Sequence, residues 1–389
     1  MPYWDFTFMS SIDLPRPHLV FVVTEDWYFV SHRLILAKNA LTAGYQVSVI
    51  TRINEHADII RSAGIGLIDL PARRAGLGII EGLAYFGRLI RLYRNLKPDL
   101  IHHVAIKPVI FGGLAAKLVG ISRVVNALGG LGFVFTSSSI KAKTIRPVVS
   151  WLLRTALSGN HHVLILQNND DSQLMIERKL VKQSAIRIIR GVGINPDHYH
   201  TEARSDNSCM VILPARMLKD KGVHEFVDAA RQLKQEGIKA RFVLVGSPDP
   251  ENPASLSEDI LNAWVSEQIV EYWGWRDDMK AIFAQSDIVC LPSYREGLPK
   301  ALLEAAASSK PIVTTDAPGC REVVTHGFNG LLVPIGNSAA LASALRTLIT
   351  DPVKRQEYGK NSRTRAESEF NEANVLTATL RIYHEILNN

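Results

Sequence analysis

Short apolar runs alternate with segments of helical periodicity along this chain, and the alternation occurs in two series. His18-Leu19-Val20-Phe21-Val22-Val23 is an apolar run of strand length, followed by the polar loop Thr24-Glu25-Asp26. Apolar residues then recur at helical spacing (Leu34, Leu36, Ala37, Ala40, Leu41) and stop at Gly44. Gln46-Val47-Ser48-Val49-Ile50 reads as the next strand. Strand, loop, helix, glycine and strand in that order predict a βαβ unit and hence a parallel sheet. The first series continues with a strand near Gly66–Leu70, helices near 79–95 and 108–119, and strands at Asp99–His102, Arg123–Asn126, His162–Leu166 and Ile186–Ile189.

The second series has strands at Met210–Leu213, Arg241–Gly246, 287–291 and Pro311–Thr314, and a short strand end at Glu271–Gly274. Helices are expected over 222–236, 277–285, 298–308 and 338–350, and in the tail from 371. The polar stretch 199–208 separates the series and has linker composition. The pattern predicts an α/β protein of two facing doubly wound domains. Residues 1–17 form a leader, 18–198 the first domain, 209–370 the second, and 371–389 a terminal helix packing back on the first. In such sheets ligands bind beyond the carboxyl ends of strands, so the interdomain cleft is the expected site.

A length of 389 residues suits two domains, and 47% hydrophobic residues can supply two cores. The net charge of +6 divides unevenly: residues 1–190 carry +11 and residues 191–389 carry −5. A basic half is expected to meet an anionic surface or substrate. Three dispersed cysteines (Cys209, Cys290, Cys320) point to a reducing compartment, with neither a zinc site nor a disulfide framework. No apolar run reaches the ~18–20 residues of a membrane span, and the N-terminus does not read as a signal peptide.

The candidate chemistry centres on Arg295-Glu296-Gly297-Leu298-Pro299-Lys300-Ala301-Leu302-Leu303-Glu304. Pro299 suits the first turn of a helix. Glu296 then sits in a strand-to-helix loop and Glu304 about two turns up the helix, with the positive helix end between them. A first-turn acid is often only a dipole partner, but Glu304 precedes Ala305-Ala306-Ala307, where an acid lacks an obvious solvated face. Arg216 and Lys221 follow the first strand of the second series and suit a diphosphate. Trp273, Gly274 and Trp275 lie at another strand end, where a base can approach the glycine; a core tryptophan beside a turn fits as well. Asp277 and Asp278 read as a helix cap, and no strand-end Asp-x-Asp pair calls for a metal.

In the first domain, Gly129-Gly130-Leu131-Gly132 follows a strand and can bring backbone near phosphate or sugar. It lacks the G-x-G-x-x-G register of nicotinamide enzymes. His102 and His103 end a strand, with Lys107 beyond; each histidine is a candidate ligand or a structural residue. His32 and Arg33 open the first helix, where an anion fits. Basic and apolar residues interleave over 73–97 (Arg73, Arg74, Arg88, Arg91, Arg94, Lys97) and 141–154 (Lys141, Lys143, Arg146, Trp151, Arg154). Such helices rest on anionic lipid or form a core helix with a charged outer face. No nucleic-acid-binding motif accompanies the charge, so no nucleic-acid partner is expected.

Taken together, these residues resemble glycosyltransferase family 4, the retaining enzymes of GT-B fold. The resemblance covers nearly the whole chain. Its most specific part is Ser293-Tyr294-Arg295-Glu296-Gly297-Leu298-Pro299 through Glu304, the family's E-x7-E; Arg216 with Lys221, Gly191–Asn195 and Trp275–Asp278 fit as well. Asp26–Arg33, Ile106-Lys107-Pro108 and Gly130–Phe133 are similar to the branch that builds bacterial capsule, O-antigen or lipid-linked oligosaccharide. The resemblance implies transfer of a hexose or N-acetylhexosamine from a nucleotide diphosphate sugar, UDP before GDP, to a polyprenyl-diphosphate-linked saccharide. It implies that Glu296 contacts the donor sugar, Glu304 the ribose, and Arg216 and Lys221 the diphosphate, with no metal or other cofactor. Gly297, Leu298, Pro299, Trp273, Gly274 and Trp275 complete the expected donor site. His32, His102, His103, Lys107, Gly130 and Gly132 are the candidates for acceptor or sugar. A cytoplasmic location, peripheral on the inner face of the membrane, follows. Many members carry a histidine just after the strand that here reads Val124-Val125-Asn126-Ala127-Leu128; this chain has none there, so no catalytic histidine is assigned. A nucleotide-sugar 2-epimerase and a two-domain small-molecule-binding protein are the alternatives.

Overall fold

The two series of strands form two parallel sheets. The computed structural model describes residues 16–71, 79–131, 135, 140–199 and 208–388. The first sheet contains β1 (His18–Glu25), β2 (Gln46–Arg52), β3 (Gly66–Asp69), β4 (Leu100–Val104), β5 (Val124–Leu128), β6 (His162–Leu166) and β7 (Ile186–Ile188). Its order is β3-β2-β1-β4-β5-β6-β7. The second contains β8 (Cys209–Pro214), β9 (Ala240–Val245), β10 (Glu271–Tyr272), β11 (Ile288–Leu291), β12 (Ile312–Thr315) and β13 (Gly330–Val333). Its order is β10-β9-β8-β11-β12-β13. Strand order reverses beside β1 and beside β8, so both crevices open where the functional loops leave the sheets.

Alternation along each central strand divides its side chains between two helical layers. Leu19, Phe21 and Val23 of β1 enter one core; Val20 and Val22 enter the opposite one. The second face is covered by helices Ile79–Leu96 and Ile106–Val119, through Tyr85, Leu89, Tyr93 and Ala116. The first face is covered by helix Leu34–Thr42 and by the C-terminal helix Glu372–Asn388, whose Ile382, Tyr383 and Ile386 belong to the N-terminal core. The chain therefore crosses between domains twice, at Gly191–Asn195 and near Asn371. The two crossings run side by side, with Ile194 N donating to Phe370 O (2.8 Å) and Glu372 N donating to Ile194 O (2.9 Å).

Several local expectations are corrected. The first helix is Asp26–His32, and Arg33 joins it to helix Leu34–Thr42, so His32 and Arg33 end the first helix instead of opening it. Pro299 keeps an extended ψ of 114° and caps a helix that begins at Lys300, which places Glu304 about one turn along it. Tyr199, the first residue of the expected linker, is packed in the second core; residues 200–207 and 1–15 lie outside the described residues.

Candidate functional site

β11 delivers the chain into the loop Pro292–Pro299, and the helix Lys300–Ala307 leads away from it. Glu296 is fixed at its backbone, where its N–H donates to Pro318 O at 3.0 Å. Its carboxylate accepts from Ser293 Oγ at 2.7 Å and from the Lys221 ammonium. The side chains of Lys221 and Glu296 keep 17% and 13% exposure, so the pair is shielded but open on one side.

Lys221 reaches Glu296 because its turn is pressed against the end of β11. Gly222 has φ +72°, and a Cβ there would lie 2.2 Å from the Pro292 carbonyl oxygen. Any larger residue would push the Lys221 turn away from the carboxylate. One further bond holds the turn, with Tyr294 N donating to Asp220 O at 2.9 Å; Ser293 Oγ, whose proton points to Glu296, lies 3.1 Å from the same oxygen. Arg216 follows β8 and pairs with Asp249 (2.5 Å). Glu304 is shielded, accepting from the Tyr199 hydroxyl at 3.1 Å with Lys300 Nζ 3.6 Å away. Burial pushes its carboxyl up, opposed by Lys300 and Tyr199.

Across from this loop lie the carboxyl ends of β1, β4 and β5. A cleft of about 600 Å³ separates the two sides, walled by Glu25, Trp27, Tyr28, His32, Lys107, Gly129 and Gly130 from the first domain. Arg216, Glu296, Gly297, Leu298, Pro299 and Lys300 close it from the second. Glu304 and Lys221 are not among its lining residues and adjoin it through their partners Lys300 and Glu296. The domains are in contact at Gly297, where a Cβ would sit 2.0 Å from Gly129 O and 2.4 Å from Gln167 Oε1.

The latch holding this closure was missed by sequence reasoning. Asn168 Nδ2 donates to Gly297 O at 2.8 Å, and Arg295 pairs with the fully buried Asp171. Burial raises the Asp171 carboxyl, while the Arg295 contacts and Asn168 lower it. Arg321 bridges Asp170 (3.2 Å) and Asp316 (2.7 Å). The available signal was the polar run Asn168-Asn169-Asp170-Asp171, one residue after β6; its first residue caps a helix through Asp171 N.

The remaining candidates fall elsewhere. β4 runs two residues beyond His102, and both histidines are core residues. His103 is bonded at both ring nitrogens, to Tyr93 Oη and to Asn126 Oδ1, each at 2.9 Å. It has no valence left for an acceptor, and burial pushes it down to about 4. His102 meets Tyr383 Oη at 2.5 Å and lines a cavity next to the cleft. His32 stacks on Tyr28 (ring centroids 4.1 Å) and borders both spaces. Burial, then Arg33 and Lys300, push its imidazole down to about 3. Lys107 lies 5.4 Å from the Tyr85 ring centre; burial lowers it, with Glu81 and Glu25 opposing. Trp273 Nε1 donates to Glu271 Oε2 at 3.1 Å, Gly274 has φ +64°, and Trp275 is exposed. None of those three lines the 600 Å³ cleft. Gly132 lies outside the described residues.

Comparison with known proteins agrees with this architecture. A family model described as "Glycosyl transferases group 1" matches residues 199–365, and one described as "Glycosyl transferase 4-like" matches residues 18–168. The N,N'-diacetylbacillosaminyl-diphospho-undecaprenol alpha-1,3-N-acetylgalactosaminyltransferase of Campylobacter jejuni is 32% identical over 357 residues, 88% of this chain and 92% of the relative. The UDP-Gal:alpha-D-GlcNAc-diphosphoundecaprenol alpha-1,3-galactosyltransferase of Escherichia coli is 25% identical over 78% of this chain and 79% of its own length. Among solved structures, Anabaena HepE in complex with UDP superposes with a TM-score of 0.75 at 19% identity, covering 95% of this chain and all of HepE. That likeness shows the two-domain GT-B fold.

Proposed function

The chain belongs to the group 1 glycosyltransferases, and from that premise we propose that it transfers a hexose or N-acetylhexosamine from a UDP-sugar, with retention, to a polyprenyl-diphosphate-linked saccharide. The chain is a hexosyltransferase; the donor, acceptor and stereochemistry are the proposal. The observation that carries it is Glu296, which lines the cleft opposite the first domain's Gly129–Gly130 loop and is paired with the shielded Lys221. The Campylobacter and Escherichia relatives are named for alpha-linked products and diphospho-undecaprenol acceptors, and the second for a UDP donor.

In the proposed mechanism, Glu296 receives donor sugar hydroxyls and Glu304 the ribose. Lys221, Arg216 and the N-terminus of helix Lys300–Ala307 face the diphosphate. The bond from the sugar's anomeric carbon to the diphosphate oxygen breaks as a new bond to the acceptor oxygen forms on the same face. The acceptor proton passes to the departing phosphate oxygen, and the nucleoside diphosphate leaves. Positive charge at the developing diphosphate is the main contribution asked of the protein. No metal is assigned a role.

An anionic membrane surface is proposed for the face carrying helices Ile79–Leu96 and Ile140–Leu157. Ile80, Leu83, Ile140, Val148 and Trp151 are exposed there, beside the exposed Arg88, Arg91 and Arg94. Ile80 and Ile140 keep more than 80% of their surface in solvent, at 83% and 82%. Apolar side chains among cations suit the interfacial layer of an anionic membrane. No described helix is long and apolar enough to cross a membrane. Peripheral attachment on the cytoplasmic side belongs to the same proposal. Neither the epimerase nor the binding-protein alternative is favoured by an observation.

A panel of UDP- and GDP-sugars, read by thermal shift and by nucleoside diphosphate release, tests the donor. Stabilisation by UDP-sugars that is absent with GDP-sugars is expected. The reverse preference would exclude the UDP assignment.

A further inference from the structure

Behind the cleft, at the two interdomain crossings, lies a second cavity of about 180 Å³. It is bounded by the carboxyl ends of β4 to β6, the junction at His32–Arg33, the crossing Gly191–Asn195 and the start of helix Glu372–Asn388. It shares only a few wall residues with the cleft, among them His32 and Lys300. The mechanism proposed above does not use it, although the sequence offered its wall residues His32 and His102 as candidates for acceptor or sugar.

Arg33 lines this cavity and is 6% exposed. The guanidinium's one hydrogen bond runs from Nη1 to the neighbouring carbonyl, His32 O, at 3.0 Å. Nε is buried and unpartnered, and no carboxylate of a described residue pairs with the guanidinium within the 4.0 Å limit for an ion pair. Glu372 is the acid in the cavity wall, and it makes no such pair. A guanidinium withdrawn from water without a counter-charge is costly, and such groups are ordinarily paired.

A second nitrogen in the same wall lacks a partner: His102 is 1% exposed, and its Nε2 is buried and unbonded. Burial pushes the Tyr383 hydroxyl far up, so it keeps its proton and can donate to His102 Nδ1. That tautomer leaves the proton on Nε2, a second donor without an acceptor. Apolar side chains, including Ile35, Leu36, Ile189 and Leu376, share the wall with polar Ser31, Gln167, Asn195, Thr379 and Lys300. The volume is several times the ~30 Å³ share of one water. A cationic fork and a neutral N–H donor, set in a chamber of mixed polar and apolar lining, match an oxyanion head on a small, partly apolar body.

We propose that this hinge cavity is a second anion-binding site, in which Arg33 and His102 hold a phosphate group. The phosphate is either a free anion or the head of a prenyl phosphate. Both interdomain crossings form its wall, so an occupant bears on domain opening. The site is independent of the donor and acceptor assignments.

The test uses the full-length protein carrying Arg216→Met and Lys221→Met, which disables phosphate binding at the cleft. Inorganic phosphate and geranyl phosphate are titrated separately, with thermal shift and isothermal calorimetry as readouts. Both probes are expected to raise Tm, and adding Arg33→Met is expected to weaken binding at least tenfold. Without ligand, Arg33→Met should leave Tm unchanged or raise it, because it removes an unpaired buried cation. Val375→Phe, which fills the cavity without altering charge, should also block binding. Tighter binding of geranyl phosphate than of phosphate identifies a prenyl phosphate; equal binding identifies a free anion. The site is overturned if Arg33→Met lowers the unliganded Tm sharply while phosphate binding persists. It is also overturned if neither probe gives an Arg33-dependent shift, the result expected when water alone satisfies the guanidinium.

Discussion

Replacing Lys221 with methionine removes the cation that touches Glu296 while keeping most of the side-chain volume. With 13% exposure, the abandoned carboxylate keeps Ser293 Oγ but loses its counter-charge. Breaking a fully buried pair costs about 3–5 kcal/mol; this pair is open to the cleft on one side, so about 2 kcal/mol is expected. Glu296→Gln should cost a similar amount, since it leaves the ammonium unpaired. The double variant carries neither charge, and its stability should recover to within about 1 kcal/mol of wild type. Turnover should behave differently. If Lys221 stabilises the departing diphosphate and Glu296 holds the donor sugar, each single variant should lose about 10²–10³-fold in kcat, and the double should recover none of it. Urea unfolding and nucleoside diphosphate release on the three variants separate the two effects. Recovery of activity together with stability in the double variant would show that the pair only braces the loop.

Gly297→Ala places a methyl where Gly129 O lies only 2.0 Å away, so the domains cannot close fully. A displacement of about 1 Å at the reacting groups should lower transfer about 10²-fold, with Tm nearly unchanged because hinge opening relieves the clash; a marked fall in Tm with normal turnover would contradict this. His103 is pushed down to about 4 by burial, against about 6.5 in the unfolded chain. Between those values the unfolded chain takes up a proton that the native state refuses, so stability falls with falling pH, by about 1.4 kcal/mol per pH unit for this histidine. His103→Gln should flatten the slope of unfolding free energy between pH 6 and pH 4.5 by close to one proton; an unchanged slope would refute the assignment. Charge reversal at Arg88, Arg91 and Arg94 should abolish pelleting with anionic vesicles at moderate salt while the fold is retained. Persistent pelleting would remove that helix from any membrane role.

The sheets were legible because their central strands are continuous apolar runs, the expected signature of strands buried on both faces. β13 escaped notice because Gly330-Leu331-Leu332-Val333 is four residues long and begins with a glycine. Helix Pro352–Ser368 escaped because it carries few apolar residues and is held largely by polar contacts, such as Arg363 Nη1 to Ala307 O at 2.7 Å. The Glu296 loop and the Lys221 turn lie at the ends of adjacent strands, so their meeting could be inferred from strand order. His102 and His103 were misplaced because two polar residues in a β-strand look like its end. Here Tyr383 and Asn126, 281 and 23 residues further along the chain, satisfy them inside the core. The Asp171–Arg295 latch joins positions 124 residues apart in different domains, and no local pattern announces such a pair.

The central claim is tested most directly by incubating the purified protein with a UDP-sugar and a short synthetic polyprenyl-diphosphate-linked saccharide. The product is followed by mass spectrometry and by the anomeric proton coupling in NMR. One added hexose or N-acetylhexosamine per acceptor, one UDP released per transfer, and the donor's anomeric configuration in the product are expected. An inverted anomer, or conversion of the donor with no sugar added to any acceptor, would contradict it.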